Sequence, residues 1–502
     1  MPDNELPPQQ SPAIQAALSW LAAAPAADPL LDLVPLRTHV DALLEARLPP
    51  LQALKILELF QPRAGRVADA AKPLLLDAVL PLARRLRNVA QAMIEVHGAM
   101  AAGYLRGLRD ADQAKLKGPQ RHPTVLAHHA LRNLAQQQEI TALISGPAPV
   151  DMWARAQQAF HLRHPVNQID PELPPENSPA DRTLKGMLAL AAAQPESMAP
   201  RESAFLARFL KRYGAAVEIS PARPAVRPEE WLWLEETRDL PPVAMARRPP
   251  AEAGNLLYFR CTALGEMTRE VITQIADGVA PAAMDLDDEV AYPDFLNVLR
   301  RAQERWASPP RRLFARHRHN YRVHVCANTG PLWQLLHGDL DPAQDAGLVS
   351  TDWMVLNERA GGFAMMHVAG GISGLVPGGI IGMRAAPDAQ WSICLVRWAR
   401  SDNPEHVEIG LELLAPSAEP VRIAPQGRGE SNPLPALLLP PIPRMDRGES
   451  LLTARGVFRP GRFALISEPR DQVRVFQCNA MNIDIQTSSI EVFGFDRDPS
   501  PV

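Results

Sequence analysis

A change in the period of the apolar residues, close to Ser308-Pro309-Pro310, constrains the fold of this chain more than any other feature. Before it, apolar side chains recur in steps of three and four, most clearly at Leu82, Leu86, Val89, Met93, Val96, Met100 and Tyr104, which puts them on one helix face. Helical patterns are also read at 30–46, 50–61, 122–145, 150–162, 182–214, 261–278 and 292–307, and Ser11-Pro12 and Asp28-Pro29 have the form of helix starts. After it, Val407, Ile409, Leu411 and Leu413 alternate with Glu408, Gly410 and Glu412, the period of a strand with one buried face. Short runs of the same kind lie at 322–326, 353–356, 363–368, 379–383 and 391–398, separated by turn residues. Six such strands in close succession predict a small barrel.

The chain of 502 residues is too long for one core, and its 51 prolines, about twice the usual share, argue against long unbroken elements. The expected fold is multidomain α + β. An N-terminal all-α bundle or repeat-like array spans 1–163. A proline-rich joint with further helices spans 164–307, in which 220–255 reads as connector. A small antiparallel six-stranded β-barrel spans 308–416 and a C-terminal β segment 417–502. Within the last, 415–448 reads as a break, followed by strand-like runs at 462–467, 473–478, 481–485 and 490–495.

A net charge of −4 is not that of a protein that coats nucleic-acid polymers, so any anion site must be local. Cys261, Cys326, Cys394 and Cys478 lie far apart, which suits buried apolar residues in a reducing compartment rather than a zinc cage or disulfide framework. The start MPDNELPPQQSP lacks the order of a signal peptide, and no apolar run approaches the ~18 residues of a membrane span. A cytoplasmic protein without membrane insertion is expected.

The segment RRLFARHRHNYR crowds Arg311, Arg312, Arg316, Arg318 and Arg322 into a run that leads into the first barrel strand. Guanidinium groups offer paired donors to phosphate oxygens and to the O6/N7 edge of guanine, and their flat faces stack on bases. Such a run also serves as a solvated linker, or pairs with a protein's own carboxylates. Further on, in WMVLNERAGGFAM, Gly361-Gly362 permits close approach to the backbone and Asn357 can present both amide and carbonyl to a base; read alone, this is a hairpin turn. His317, His319 and His324 have no common metal-ligand spacing, and GGISGLVPGGIIG at 370–382 lacks the Lys-Ser/Thr of a phosphate loop. No set of residues has the pattern of a catalytic site, no metal or cofactor is implied, and a non-enzymatic protein is expected.

In this order, at the start of a short-stranded barrel, the two segments resemble the PilZ domain, the bacterial receptor module for cyclic di-GMP, whose signature is RxxxR ahead of the first strand and then (D/N)xSxxG. Arg312-Leu-Phe-Ala-Arg316 meets the first part and is preferred to Arg318-His-Asn-Tyr-Arg322. Asn357-Glu358-Arg359-Ala360-Gly361-Gly362 meets the second, except that Arg359 stands in the serine position. The segment 391–414, with its G-x-E-L-L ending, is similar to the family's later strands. The resemblance covers 308–416 and implies a cyclic di-GMP effector. Arg312 and Arg316 would grip phosphates and guanine edges, Asn357 would contact a guanine, and Arg359 would either clash with the base or add a phosphate contact. The helical domain would meet a protein partner. The alternative is a helical scaffold or adaptor with a degenerate barrel that binds no nucleotide.

Overall fold

The computed structural model describes residues 12–46, 48–114, 122–163, 178–235, 238–251, 256–309, 317–338, 349–359, 361–369, 374–386, 388–403, 406–425, 432–442, 448–468 and 472–498. The first half is helical: α1 (Pro12–Ala22), α2 (Leu33–Glu45), α3 (Pro50–Leu75), α4 (Arg84–Ala114), α5 (Pro123–Leu143), α6 (Met152–Leu162), α7 (Pro179–Ala192) and α8 (Pro200–Tyr213). Local chemistry sets their ends. Ser178 accepts the Asp181 amide while the Asp181 carboxylate accepts the Ser178 amide, a reciprocal cap ahead of Pro179 in the first turn of α7. Met93, Val96, Met100 and Tyr104, part of the stripe read from the sequence, are buried between α4 and its neighbours.

The expectation against long unbroken elements is overturned by α3, of 26 residues, and α4, of 31, since most prolines fall at helix starts and in loops and those inside α3 are outweighed by its buried face. Two local readings are also corrected here. The pattern at 50–61 does not end at Pro62, because α3 runs on to Leu75. Proline in a helix interior costs about 3 kcal/mol, which the buried face of Phe60, Ala64, Val67, Ala68 and Ala71 offsets. The next residue, Arg63, is buried and bonded to Asp32 at 2.7 Å and to the Ala23 carbonyl at 2.5 Å, with its guanidinium over Trp20. The stretch 220–255 is also more than a connector. It contributes to a four-stranded sheet, β1 (Glu218–Ser220), β2 (Leu232–Glu235), β3 (Val243–Ala244) and β4 (Leu256–Arg260), in the order β1-β4-β2-β3. With α9 (Thr262–Ala276) and α10 (Pro293–Ala307), it packs into the same apolar cluster as the N-terminal helices.

The expected six strands close into a barrel of order β10-β7-β6-β5-β8-β9. They are β5 (His317–Ala327), β6 (Val349–Arg359), β7 (Gly362–Ala369), β8 (Ile380–Arg384), β9 (Ser392–Asn403) and β10 (His406–Ala415). Helix α11 (Thr329–His337), for which the sequence reading made no provision, lies between β5 and β6. The C-terminal segment is a second closed barrel of β11 (Glu419–Pro425), β12 (Leu434–Leu439), β13 (Ser450–Ala454), β14 (Gly461–Ser467), β15 (Arg474–Gln486) and β16 (Ile490–Arg497), and the break read at 415–448 holds the first two of these strands. All four cysteines are buried and unbridged. No helix among the described residues is long and apolar enough to cross a membrane.

Apolar packing and backbone hydrogen bonds fix the first barrel to the helical half. The loop between α3 and α4 places Ala78, Leu80 and Leu82 in the barrel's apolar cluster with Val325, Trp353, Val396 and Ala399. Leu80 and Leu375 exchange two backbone hydrogen bonds, at 2.9 and 3.0 Å. The Ser401 amide on β9 donates to the Ser145 carbonyl, just past α5, at 2.9 Å.

Candidate ligand site on the first barrel

Irregularities on β5, β6 and β9 coincide near the second motif. On β5, Arg318 pairs with Asn357 of β6 and Tyr321 with Val355, leaving one extra residue on β5. On β6, Val355 pairs with Met365 and Asn357 with Ala364, leaving Leu356 extra. On β9, Trp398 pairs with Gly410 and Val396 with Leu411, leaving Arg397 extra. Bulges re-aim side chains: between the inward Val396 and Ala399, both Arg397 and Trp398 face away from the core.

Asn357, Gly362, Phe363, Ala364, Arg397, Trp398, Gly410 and Leu411 line the shallow recess that results. Gly410 is required there, since a Cβ on it would lie 1.8 Å from Trp398 Nε1. Gly361 turns the chain with φ of 74°, a left-handed conformation that favours glycine, and its carbonyl accepts the Leu413 amide at 2.9 Å. That bond pins the β6–β7 turn to β10. Arg397 is half exposed and pairs with Glu412 at 2.5 Å. Glu358 accepts from the Tyr321 hydroxyl at 3.4 Å and lies 3.8 Å from His319 Nε2. Burial, and then the nearby Glu358 charge, raise the Tyr321 pKa above its ordinary value, so the hydroxyl stays protonated and donates.

The structure therefore brings Asn357, Gly361, Gly362 and Arg318 to one end of the β5–β6–β7 surface. Arg318 and Arg322 are exposed residues within β5, opposite Asn357 and Met354. Arg359 pairs with Gly362 at the end of β6. Arg311, Arg312 and Arg316 lie outside the described residues; in sequence they immediately precede His317, the first residue of β5. Sequence reasoning missed Arg397 and Trp398. Their one signal was a cation beside an aromatic in the RWAR segment of an otherwise apolar strand.

Comparison with known proteins matches three successive stretches of the chain. The N-terminal domain model of the cyclic-di-GMP receptor FimW matches residues 15–224, the model of its middle PilZ domain 343–420, and the model of its C-terminal β-barrel domain 420–497. The chain belongs to this FimW family of PilZ-domain proteins. A curated relative, the cyclic-di-GMP receptor FimW of Pseudomonas aeruginosa, is 23% identical, over 82% of this chain and 79% of the relative. The family's PilZ match includes Asn357, Gly361, Gly362, Arg397, Trp398 and Gly410, and begins after the arginine run and β5. Its first model extends to 224 and so takes in α7 and α8 with the earlier helices.

Proposed function

We propose that this protein is a non-catalytic cyclic di-GMP effector that binds the nucleotide at the β5–β6 end of the first barrel and passes the event to its helical half. The observation that carries this reading is the cross-strand pair Arg318–Asn357, which brings the end of the arginine run beside the asparagine and glycines of the second motif. A ligand with two phosphates and two guanines needs cations and base-edge partners side by side, and here they share one surface. Because β5 begins at His317, Arg312 and Arg316 stand ahead of the first strand in sequence, as the family's motif requires, whereas Arg318 and Arg322 lie within it. Arg312 and Arg316 are therefore the preferred grip, with Arg311, Arg318 and Arg322 as supporting cations. Asn357, whose side chain lines the recess, is assigned to a guanine edge, and Trp398 and Arg397 offer a stacking plane and a further cation. Arg359, in the serine position, adds a phosphate contact.

The route to the helical half rests on β9. Arg397 and Trp398 face the recess, while their neighbours Val396 and Ala399 pack in the cluster that holds Leu80 and Leu82. A ligand that moves β9 thus has differing affinity for arrangements in which this packing differs, which is the condition for a switch. Titration calorimetry of cyclic di-GMP against the intact protein and an Arg312→Ala, Arg316→Ala variant tests the site. Each lost charged hydrogen bond removes about 1.5–3 kcal/mol, so the variant should bind at least ~100-fold more weakly. Equal heats and affinities from both would refute the assignment.

A further inference from the structure

A hollow of about 560 Å³, lined by none of the recess residues, opens between α5, α7 and α8. Its α5 wall is His128, Arg132, Ala135, Gln136, Gln138 and Glu139, and its α7 wall is Pro179, Arg182, Thr183, Gly186, Met187 and Leu190; buried Gln138 donates to the Met187 carbonyl at 3.0 Å and ties the two walls together. Each wall spans twelve residues of helix, or roughly 16 Å. The floor is apolar, made of Met187 and Leu190 with Ala207 and Leu210 from α8. Gly186 keeps the middle of the α7 wall low, and a Cβ there would meet nothing closer than the Leu210 carbonyl at 3.9 Å.

The charges run along the rims. Exposed Arg132 and Arg182 stand at one end, where both act on His128, and among the described residues neither is ion-paired. At the other end, the single acid, Glu139, is already held by Lys72 at 2.5 Å and Lys211 at 3.6 Å. The groove thus presents an apolar floor with a positive surplus at both ends. A small amphiphile with one anionic head needs its cations gathered at one end. A helix laid in the groove instead meets them along its length, with an apolar stripe at i, i+3, i+4 and i+7 on the floor.

We infer that the α5–α7–α8 groove is a docking site for an acidic amphipathic helix of a partner protein. The inference does not depend on nucleotide binding at the barrel. The test uses the full chain and a labelled 15-residue peptide of leucine and glutamate, with leucines at positions 1, 4, 5, 8, 11 and 12, read by fluorescence anisotropy. A peptide with lysine for every glutamate and a peptide with the leucines scrambled serve as controls. The acidic peptide should bind, and both controls should bind at least about tenfold more weakly. Arg132→Glu with Arg182→Glu should weaken the acidic peptide by at least about tenfold and reverse the preference toward the lysine peptide. Gly186→Leu, which fills the groove with a better helix former, should abolish binding while leaving the thermal melt as high as that of the native chain. Equal binding of the acidic and lysine peptides would overturn the inference, as would full binding by Gly186→Leu, or no binding of the acidic peptide at millimolar concentration. Saturation by decanoate without peptide binding would assign the hollow to a small amphiphile, and a self-association lost in Gly186→Leu would assign it to a second copy of the chain; either also overturns it.

Discussion

The first barrel, β5 to β10, and the second, β11 to β16, each close six antiparallel strands, yet their interiors are filled in different ways. The second is filled from its own strands by Val421, Ile423, Leu451, Phe463, Phe493 and Phe495. Its buried Glu491 accepts the amides of Val457 and Phe458 and the Gln486 side chain, which fixes the loop above it. The first takes Ala78, Leu80 and Leu82 from the helical half into its core. The bulges differ as well: in the second barrel the extra residues fall on β15 alone, whereas in the first they are spread over β5, β6, β7, β9 and β10, and three of them sit at the level of the motif residues. A barrel that completes its own core can serve as a brace. One whose core is completed by another domain cannot change shape without that domain being affected.

The most damaging change to the first barrel should be Leu80→Asp, which buries an unpaired carboxylate and is expected to cost about 3–5 kcal/mol. In differential scanning calorimetry it should detach the first barrel's transition from that of the helices and leave the second barrel's transition unmoved. A matching loss in the second barrel would erase the distinction drawn between the two.

Acid should weaken the helical half on which the first barrel leans. His97 is fully buried, its Nδ1 2.9 Å from Asn133 Oδ1, and burial holds its pKa at about 4. The Asn133 amide nitrogen donates to Gln61 and to the His129 carbonyl, so the oxygen accepts and neutral His97 carries its proton on Nδ1. Between pH ~6.5 and 4 the unfolded chain gains a proton that the folded chain refuses. Stability therefore falls across that window by about 3 kcal/mol and levels off below it. His128, held near 4 chiefly by burial and then by His129, adds in the same direction. Denaturant melts at pH 7 and pH 4.5 should show the loss, and His97→Gln should shrink it.

Gly410→Ala drives a methyl into the Trp398 indole and should cost about 1–3 kcal/mol by displacing the ring. Tryptophan fluorescence should report an indole moved toward water; an unchanged spectrum would remove Trp398 from the recess. The smallest effect is expected from Arg397→Ala, whose guanidinium is half exposed and shared with Glu412: cyclic di-GMP affinity should drop by roughly fivefold. Arg474→Ala, on the second barrel, should leave that affinity unchanged.

Periodicity made the long amphipathic helices and all six strands of the first barrel legible, because each of these elements keeps a run of residues in one spacing. It failed at β12, whose LPALLL reads as a featureless apolar run beside prolines. That strand is buried on both faces, with Leu437 and Leu439 against the first barrel and Ala436 and Leu438 in its own interior, so no polar residue marks the alternation. Pro62 stopped the reading of α3 because the pairing of Arg63 with Asp32, 31 residues earlier, has no local signature. At the site, Asn357 and the glycines were legible as a motif. Arg397 and Trp398 were not, since only a bulge turns both of them outward. Leu82, read as part of a helical stripe, lies two residues before α4 and packs in the barrel.

The central claim is that the first barrel takes the nucleotide and shares the event with the helices while the second does neither. Hydrogen–deuterium exchange of the full chain with and without cyclic di-GMP tests it most directly. The account predicts slowed exchange at 311–322 and 355–364, with altered exchange at 397–401 and in the 76–83 loop, and no change across 419–497. Slowed exchange confined to the second barrel, or identical exchange everywhere with the nucleotide in saturating excess, would contradict it.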